Sequence, residues 1–413
     1  MPAPLGTAYW RLWGSSGLSN LADGIVKLAL PLVAIQYTRS PALIAGLGFA
    51  MTLPWLVFAL QAGAIADRVD RRRAMLVANT VRVLVLGLLV ATLALDIGSL
   101  PLLYIAGFAI GMAETLYDTS AQSIVPQMVA PDQLSRANGR LYAVELTANQ
   151  FVGPPLAGLL LPIGTAVAVL VPGGLWLLAL VVLAWVPGSF RVVREGPRTT
   201  LRADIAEGLR FLWARPVLRA LALMVGAFNF TTNAAFTLMV LYAVGPDSPM
   251  RLTESAYGLL LTTLAIGSLA GSLVAEHVER LLGRGRALVV ALLFGILMLA
   301  VPGFTTNPWV IAGCWFLGGF GVVIWNVITV SLRQRITPAR LLGRLNSAYR
   351  LFAWGPMSVG TVVGGLLAQW FGIRSVFLIM AGSLLLATLA VVRVVNERTI
   401  TAAEEQGPDQ PTK

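Results

Sequence analysis

The sequence predicts an all-α polytopic membrane protein, with twelve transmembrane helices in two pseudo-symmetric six-helix bundles. Three observations lead there. Hydrophobic residues fill 57% of the 413 positions, about 235, and only 12% are charged, an apolar surplus that a water-soluble chain of ordinary composition does not carry. At about 20 apolar residues per crossing, the surplus furnishes roughly twelve spans. Basic residues alternate between rich and poor connections, and the chain repeats itself at about half its length. The same figures exclude a soluble enzyme, a disordered chain and a disulfide scaffold. One cysteine, Cys314, forms no intrachain disulfide or thiolate metal cage, and one histidine, His277, leaves little metal chemistry.

Apolar runs bounded by charge, proline and glycine place spans near 13–37, 42–66, 74–95, 99–118, 138–162, 166–187, 216–244, 256–278, 286–304, 307–330, 345–370 and 374–395. The N-terminal residues lack the pattern of a removable signal peptide, so the first span is expected to stay. One set of connections holds Arg11; Arg68, Arg71, Arg72 and Arg73; Arg136 and Arg140; the stretch from Arg191 to Arg219; Arg280, Arg284 and Arg286; Arg333, Arg335, Arg340 and Arg344; then Arg393 and Arg398. The other set holds only Arg39, Arg251 and Arg374. Short cytoplasmic loops keep positive charge, so both termini are expected inside, in a cell inner membrane. The net charge of +11 is then a topology signal, and nucleic acid is not an expected partner.

Residues 188–215 form the longest polar interval and the expected linker between bundles 1–187 and 216–395. Within it, Leu201, Ile205, Leu209 and Leu212 share one helical face while Arg202, Asp204, Glu207 and Arg210 take the other, which predicts an amphipathic helix on the inner leaflet. The tail 396–413 has no apolar run and is expected to be disordered.

Matches at a fixed offset support a duplicated bundle. Ala66-Asp67-Arg68-Val69-Asp70-Arg71 answers Ala275-Glu276-His277-Val278-Glu279-Arg280 at an offset of 209. Pro131, Leu134, Tyr142, Gly153, Gly158 and Leu159 answer Pro338, Leu341, Tyr349, Gly360, Gly365 and Leu366 at 207. Duplicated bundles place a cavity between halves near the membrane midplane, where rocking exposes it to alternate sides.

The stretch Gly63-Ala-Ile-Ala-Asp67-Arg68-Val-Asp70-Arg71-Arg72 resembles the loop of the major facilitator superfamily written G-x-x-x-D-R-x-G-R-R, with Asp70 at the second glycine. That departure, the opening Leu18-Ser19-Asn20-Leu21-Ala22-Asp23-Gly24 and Ile124-Val125-Pro126 are similar to the branch of enterobactin-type siderophore exporters and macrolide-efflux proteins. The resemblance runs from about residue 10 to 395 and implies the major facilitator fold and monomeric function. In the loop, Asp67 suits a latch that accepts backbone N–H groups or pairs with a helix-end arginine, and the arginines suit phosphate anchoring equally well. His277 in the second copy is either a worn repeat position or a proton sensor. On the fifth span, Asn149-Gln-Phe-Val-Gly153-Pro154-Pro155-Leu-Ala157-Gly158 resembles the antiporter motif G-x-x-x-G-P-x-x-G-G, with Asn149 and Ala157 at two glycine positions. The motif implies export; ordinary small-residue packing in a kinked helix is the other reading.

Charges inside spans cost at least about 2.5–3.5 kcal/mol when uncompensated. Asp23 lies near the midplane of the first span with Lys27 one turn later, so the two are expected to neutralise each other. Asp23 is the expected proton carrier, a static ion pair and direct substrate recognition being the rivals. Glu114, Asp118, Glu145, Arg82 and Arg350 are expected either to join an inner gate with the 63–73 loop or to line the substrate path. Asn229, Thr231, Thr232 and Asn233, with Trp325, Asn326 and Trp354, are candidate cavity contacts, although threonine often bonds its own helix. Trp10, Trp13, Trp185, Trp309 and Trp370 suit interfacial anchors.

No G-x-x-x-x-G-K-[ST] loop occurs, so a gradient supplies the energy and no cofactor is expected. The leading reading is a proton-coupled exporter of a small lipophilic compound, and not an enzyme. Uptake by symport, a lipid-modifying membrane enzyme and a non-transporting scaffold or receptor are the alternatives.

Overall fold

The computed structural model describes residues 5–130, 133–190 and 201–405, and within them helices make up the regular structure apart from one isolated bridge, Val244 to Leu252. The side chains of some helical residues, Asp67 and Arg350 among them, lie outside the described set. Two compact units emerge: Met1–Gly196 with Ala243–Thr262, and Pro197–Tyr242 with Thr263–Lys413.

The first unit contains α1 (Thr7–Ala34), α2 (Pro41–Val57), α3 (Ala59–Arg68), α4 (Arg71–Ala94), α5 (Leu100–Ile124), α6 (Leu134–Leu146), a π-helical turn at Thr147–Val152, α7 (Gly153–Leu160) and α8 (Thr165–Ala184). The second holds α9 (Leu201–Ala214), α10 (Pro216–Ala243), α11 (Glu254–Leu282), α12 (Arg284–Phe304), α13 (Pro308–Ile336), α14 (Ala339–Phe371), α15 (Ile373–Val392) and α16 (Glu397–Glu405), the first turns of α11 joining the first unit.

Among the described residues, nine helices are long and apolar enough to cross a membrane: α1, α4, α5 with its short extension to Gln127, α8, α10 to α13, and α15. Two of the other three expected spans are divided for a local reason. The run 42–66 is two helices meeting at Phe58, four residues after Pro54. The run 138–162 is divided because Pro154 and Pro155 have no N–H to give to the preceding turn, which widens into the π segment. The run 345–370 lies in one continuous helix, α14, several of whose side chains lie outside the described set.

In the first unit α1 is the hub, touching α5, α6, α7 and α8, while α4 packs on α5 and α8. Two glycines let α1 and α7 meet backbone to backbone. A Cβ on Gly24 would stand 2.4 Å from the Asn149 carbonyl oxygen, and one on Gly153 would stand 2.7 Å from Gly24. The repeat preserves this device: a Cβ on Gly360, the counterpart of Gly153, would lie 2.3 Å from the Phe230 carbonyl oxygen of α10.

Two expectations about polar segments change. The amphipathic helix exists as α9, but it packs along α14, with Leu212 fully buried and the Trp213 ring 5.3 Å from that of Phe352. Protein, at this end of the helix, covers the face that was expected on lipid. The tail expected to be disordered from Asn396 carries α16. Its first turn is capped reciprocally, the Thr399 N–H donating to Asn396 Oδ1 (3.1 Å) and the Asn396 N–H to Thr399 Oγ1 (3.0 Å), and Ile400 is fully buried. Residues 406–413 lie outside the described set.

Candidate functional site

The chemistry of the first unit gathers around α1. Asp23, 3% exposed, faces Arg82 of α4, whose Nη2 lies 3.4 Å from Asp23 Oδ1. Arg82 is fully buried; its Nη1 donates to Ser19 Oγ (2.8 Å) and Asn79 Oδ1 (3.2 Å), and its guanidinium lies 5.2 and 5.3 Å from the rings of Tyr117 and Trp176. A guanidinium cannot shed its proton, so a buried one requires an anion, and two aromatic faces spread its charge further. Trp176 Nε1 in turn donates to the Ser19 carbonyl (3.3 Å), and the hydroxyls of Ser15 and Ser16 meet that of Tyr117 at 3.5 and 3.4 Å.

This arrangement corrects the expected Asp23–Lys27 pair. Lys27 instead reaches Glu114 of α5, Nζ to Oε1 at 3.0 Å, and donates to Asn149 Oδ1 at 3.5 Å. One helical turn separates Asp23 from Lys27, but the long lysine side chain carries its charge outward, where it is 47% exposed. Arg82 and Glu114 are each paired with α1, Arg82 in a fully buried pair and Glu114 in one whose lysine is exposed. Asn149, at a glycine position of the antiporter motif, also donates to Asn20 Oδ1 (3.4 Å) and so ties the π segment to α1. Asp118 and Glu145 share the field of this cluster, feeling Arg82, Lys27, Glu114 and Asp23 between them, with no ion pair of their own among the described residues.

The antiporter-like segment thus has a definite place. Gly153 seats α7 against Gly24, the residue after Asp23, and Gly158 faces Gly258, with the Ser255 hydroxyl donating to the Gly158 carbonyl (2.8 Å). Pro154 offers its carbonyl oxygen 2.9 Å from where a Cβ on Gly258 would stand, and Pro155 lies at 3.4 Å from that same point.

At the 63–73 loop, Asp70 caps α4: its carboxylate accepts from the N–H groups of Arg73 (3.1 Å) and Phe190 (2.8 Å) and from the Ser189 hydroxyl (3.0 Å). Burial alone raises a carboxyl's pKa, but these donors outweigh it and hold Asp70 below the ordinary carboxylate range. Arg72 Nε donates to the Leu183 carbonyl (3.2 Å) and its Nη2 to Ala184, while Arg71 Nη1 donates to Ser123. The arginines satisfy the last carbonyls of α8 and α5, the favourable place for a cation. Arg68 is exposed, the Asp67 side chain lies outside the described set, and a Cβ on Gly63 would meet nothing within 4 Å.

The candidate cavity contacts of the second unit are occupied locally. Asn229 Nδ2 donates to the Ala353 carbonyl (2.6 Å), Asn233 Nδ2 to Asn229 (2.9 Å), Thr231 to Ala227 (2.9 Å) and Thr232 to Phe228. Asn229 is a tie between α10 and α14, and the threonines bond their own helix. Trp325 is 9% exposed, Asn326 is exposed and Trp354 is half-buried; the Arg350 side chain lies outside the described set.

Sequence reasoning missed Asn79, Tyr117 and Trp176. Asn79 carried a signal, since it lies three residues before Arg82 on the same helical face. The aromatic pair carried none, because both are ordinary apolar-face residues until α5 and α8 fold around α4.

The family match makes this multi-pass helical protein a secondary transporter of the major facilitator class, and not an enzyme. The chain belongs to the transmembrane secretion effector family of that superfamily, whose model matches residues 2–411. It is 26% identical to the multidrug efflux pump Tap of Mycolicibacterium fortuitum, over 94% of this chain and 95% of that one. It is 27% identical to the enterobactin exporter EntS of Salmonella typhimurium (91% of each chain) and 22% identical to macrolide efflux protein A of Streptococcus pyogenes (94% and 96%). The fold matches the nucleoside transporter NupG with a TM-score of 0.75 at 10% identity (94% and 99% covered). An inward-facing bacterial homologue of the iron transporter ferroportin follows at 0.72 and 18% (95% and 99%).

Proposed function

We propose that this transporter exports a small lipophilic compound, a drug, antibiotic or siderophore, in exchange for protons, as a monomer with both termini on the cytoplasmic side of the inner membrane. One observation carries the reading: acids and bases are buried together at the α1–α7 seam, where Gly153 of the antiporter-like segment abuts Gly24 beside Asp23. Charge in a membrane interior is costly and marks ion pathways and proton relays. The efflux and exporter relatives support the outward direction. The seventh-span patch of Asn229, Thr232 and Asn233, with Trp325, Asn326 and Trp354, is proposed to border the cargo path.

The test uses purified protein in liposomes with an imposed pH gradient and an internal pH dye, challenged with a panel of lipophilic dyes, a macrolide and a catecholate siderophore. Proton flux opposite to cargo movement is expected. Flux in the same direction turns the reading to uptake, and cargo movement independent of the gradient removes proton coupling.

A further inference from the structure

The buried charges of the first unit do not balance. Six ionisable side chains lie together: Asp23 and Lys27 on α1, Arg82 on α4, Glu114 and Asp118 on α5, and Glu145 on α6. Of the other elements packed on this group, α2, α7 and α8 contain no charged residue, while α6 adds Arg136 and Arg140, both on the side of Tyr9, Arg140 stacked on Trp10 with its guanidinium 5.3 Å from that ring. Within the six, two cations face four acids. Both cations are spoken for, Arg82 by Asp23 at 3.4 Å and Lys27 by Glu114 at 3.0 Å.

The two pairs differ in what they permit. Arg82 is fully buried and a guanidinium remains a cation across the physiological range, so protonating Asp23 would leave a buried cation without its counter-charge. Neither Asp23 oxygen accepts a hydrogen bond, so the Arg82 charge is what compensates it. Asp118 and Glu145 are in the opposite position. Among the described residues no cation stands at ion-pair distance from either, Asp118 lies on the membrane-long α5 and Glu145 on α6, and both are only half-buried where Asp23 is 3% exposed. An ionised carboxylate there is uncompensated, and a protonated one still has a route to water.

We propose that Asp118 and Glu145 carry the exchangeable protons of the transport cycle, while Asp23–Arg82 is a fixed pair that holds α1 against α4. This assignment rests on the proton-coupled reading above. In each cycle a proton joins a carboxylate oxygen of Asp118 or Glu145 from one aqueous face and leaves from the same oxygen to the other, with no covalent change.

Infrared difference spectra of the purified protein through a pH titration read protonated carboxyls directly by their carbonyl stretch, without any cargo. A band at neutral pH is expected in the native protein and in Asp23→Asn. Asp118→Asn and Glu145→Gln should each remove one contribution and the double variant both, while Asp118→Glu should restore its contribution with a shifted pH midpoint. A band that vanishes in Asp23→Asn, survives the double variant, or is missing from the native protein overturns the assignment. Because Asp118→Asn could disturb folding, each variant is also measured for its size-exclusion profile, and Asp118→Glu serves as the folded control. In the liposome assay the double variant should lose proton flux at least tenfold. If the native band titrates as stated but no panel compound moves protons, the exporter reading fails and the assignment of the protonated groups stands.

Discussion

In the first unit Gly153 brings α7 onto Gly24 of α1, next to a buried Asp23–Arg82 pair; in the second, Gly360 brings α14 onto Phe230 of α10, next to Thr231 and Thr232, which bond only their own helix. The packing device is the same and the chemistry is not. Ion pairs described in the second unit sit at helix ends: Arg284 holds Glu279 (2.9 Å) and Glu404 (2.6 Å), Arg335 lies 3.5 Å from Glu404, and Arg280 pairs with Glu276. Close helix approach is a property of backbone and small side chains, so it survives duplication. Buried charge must be matched residue by residue, so one copy can lose it and remain a sound bundle.

The helix starts that follow the repeated loop show a second divergence. Asp70 caps α4 from its own loop, whereas α12 receives its acid from the tail, the Gly285 N–H donating to Glu397 Oε2 (2.8 Å). A helix N-terminus wants an acceptor, and which segment supplies it is secondary.

The sharpest way to break the comparison is Arg82→Leu, which leaves Asp23 buried and unmatched at a cost of about 3–5 kcal/mol. Thermal unfolding in detergent should show a large loss that Asp23→Asn in the same chain partly restores; equal losses in single and double variants would refute the pairing. Next come Gly24→Ala and Gly360→Ala, each forcing a methyl against backbone for about 1–3 kcal/mol. Their apparent melting temperatures should fall by similar amounts if the two seams are equivalent.

Asp70→Asn is expected to cost about 0.5–2 kcal/mol, the range of a lost helix cap. Because the folded Asp70 is held below the ordinary carboxylate range, its contribution is fully present above the unfolded value of about 4 and is lost as the pH falls through the folded one. The stability gap between native and Asp70→Asn protein should be constant near neutrality and close in acid. The smallest effect is Glu404→Gln, about 0.2–1 kcal/mol and weaker in high salt, since its two arginine partners lie at a solvated helix end. An unchanged melting temperature at low salt would make α16 a passive tail.

Much of the bundle was legible because its signals are local or periodic. Apolar run length marks a span, arginine marks a connection, and the offset near 207 marks the duplication. The Gly153-Pro154-Pro155 interruption was legible too, since a missing N–H acts on its own helix. Less legible was the tail: Asn396, Thr399 and Ile400 are weak cues until α12 and α13 supply Gly285, Arg284 and Arg335 for α16 to grip.

For the site, composition and position alone determined that Asp23, Arg82, Glu114, Asp118 and Glu145 lie at membrane depth and must be compensated, because the cost of a bare charge in lipid does not depend on the fold. Only the tertiary structure decided who compensates whom. Spacing along α1 favoured Lys27 for Asp23, yet a pairing at i and i+4 compares neighbours on one helix and knows nothing of what faces it. Once α5 and α8 pack against both α1 and α4, Arg82 has no solvent and takes Asp23, while Lys27 is long enough to reach Glu114. Among the described residues that leaves Asp118 and Glu145 unmatched, since the balance of charge in a buried cluster is a sum over helices that only packing brings together.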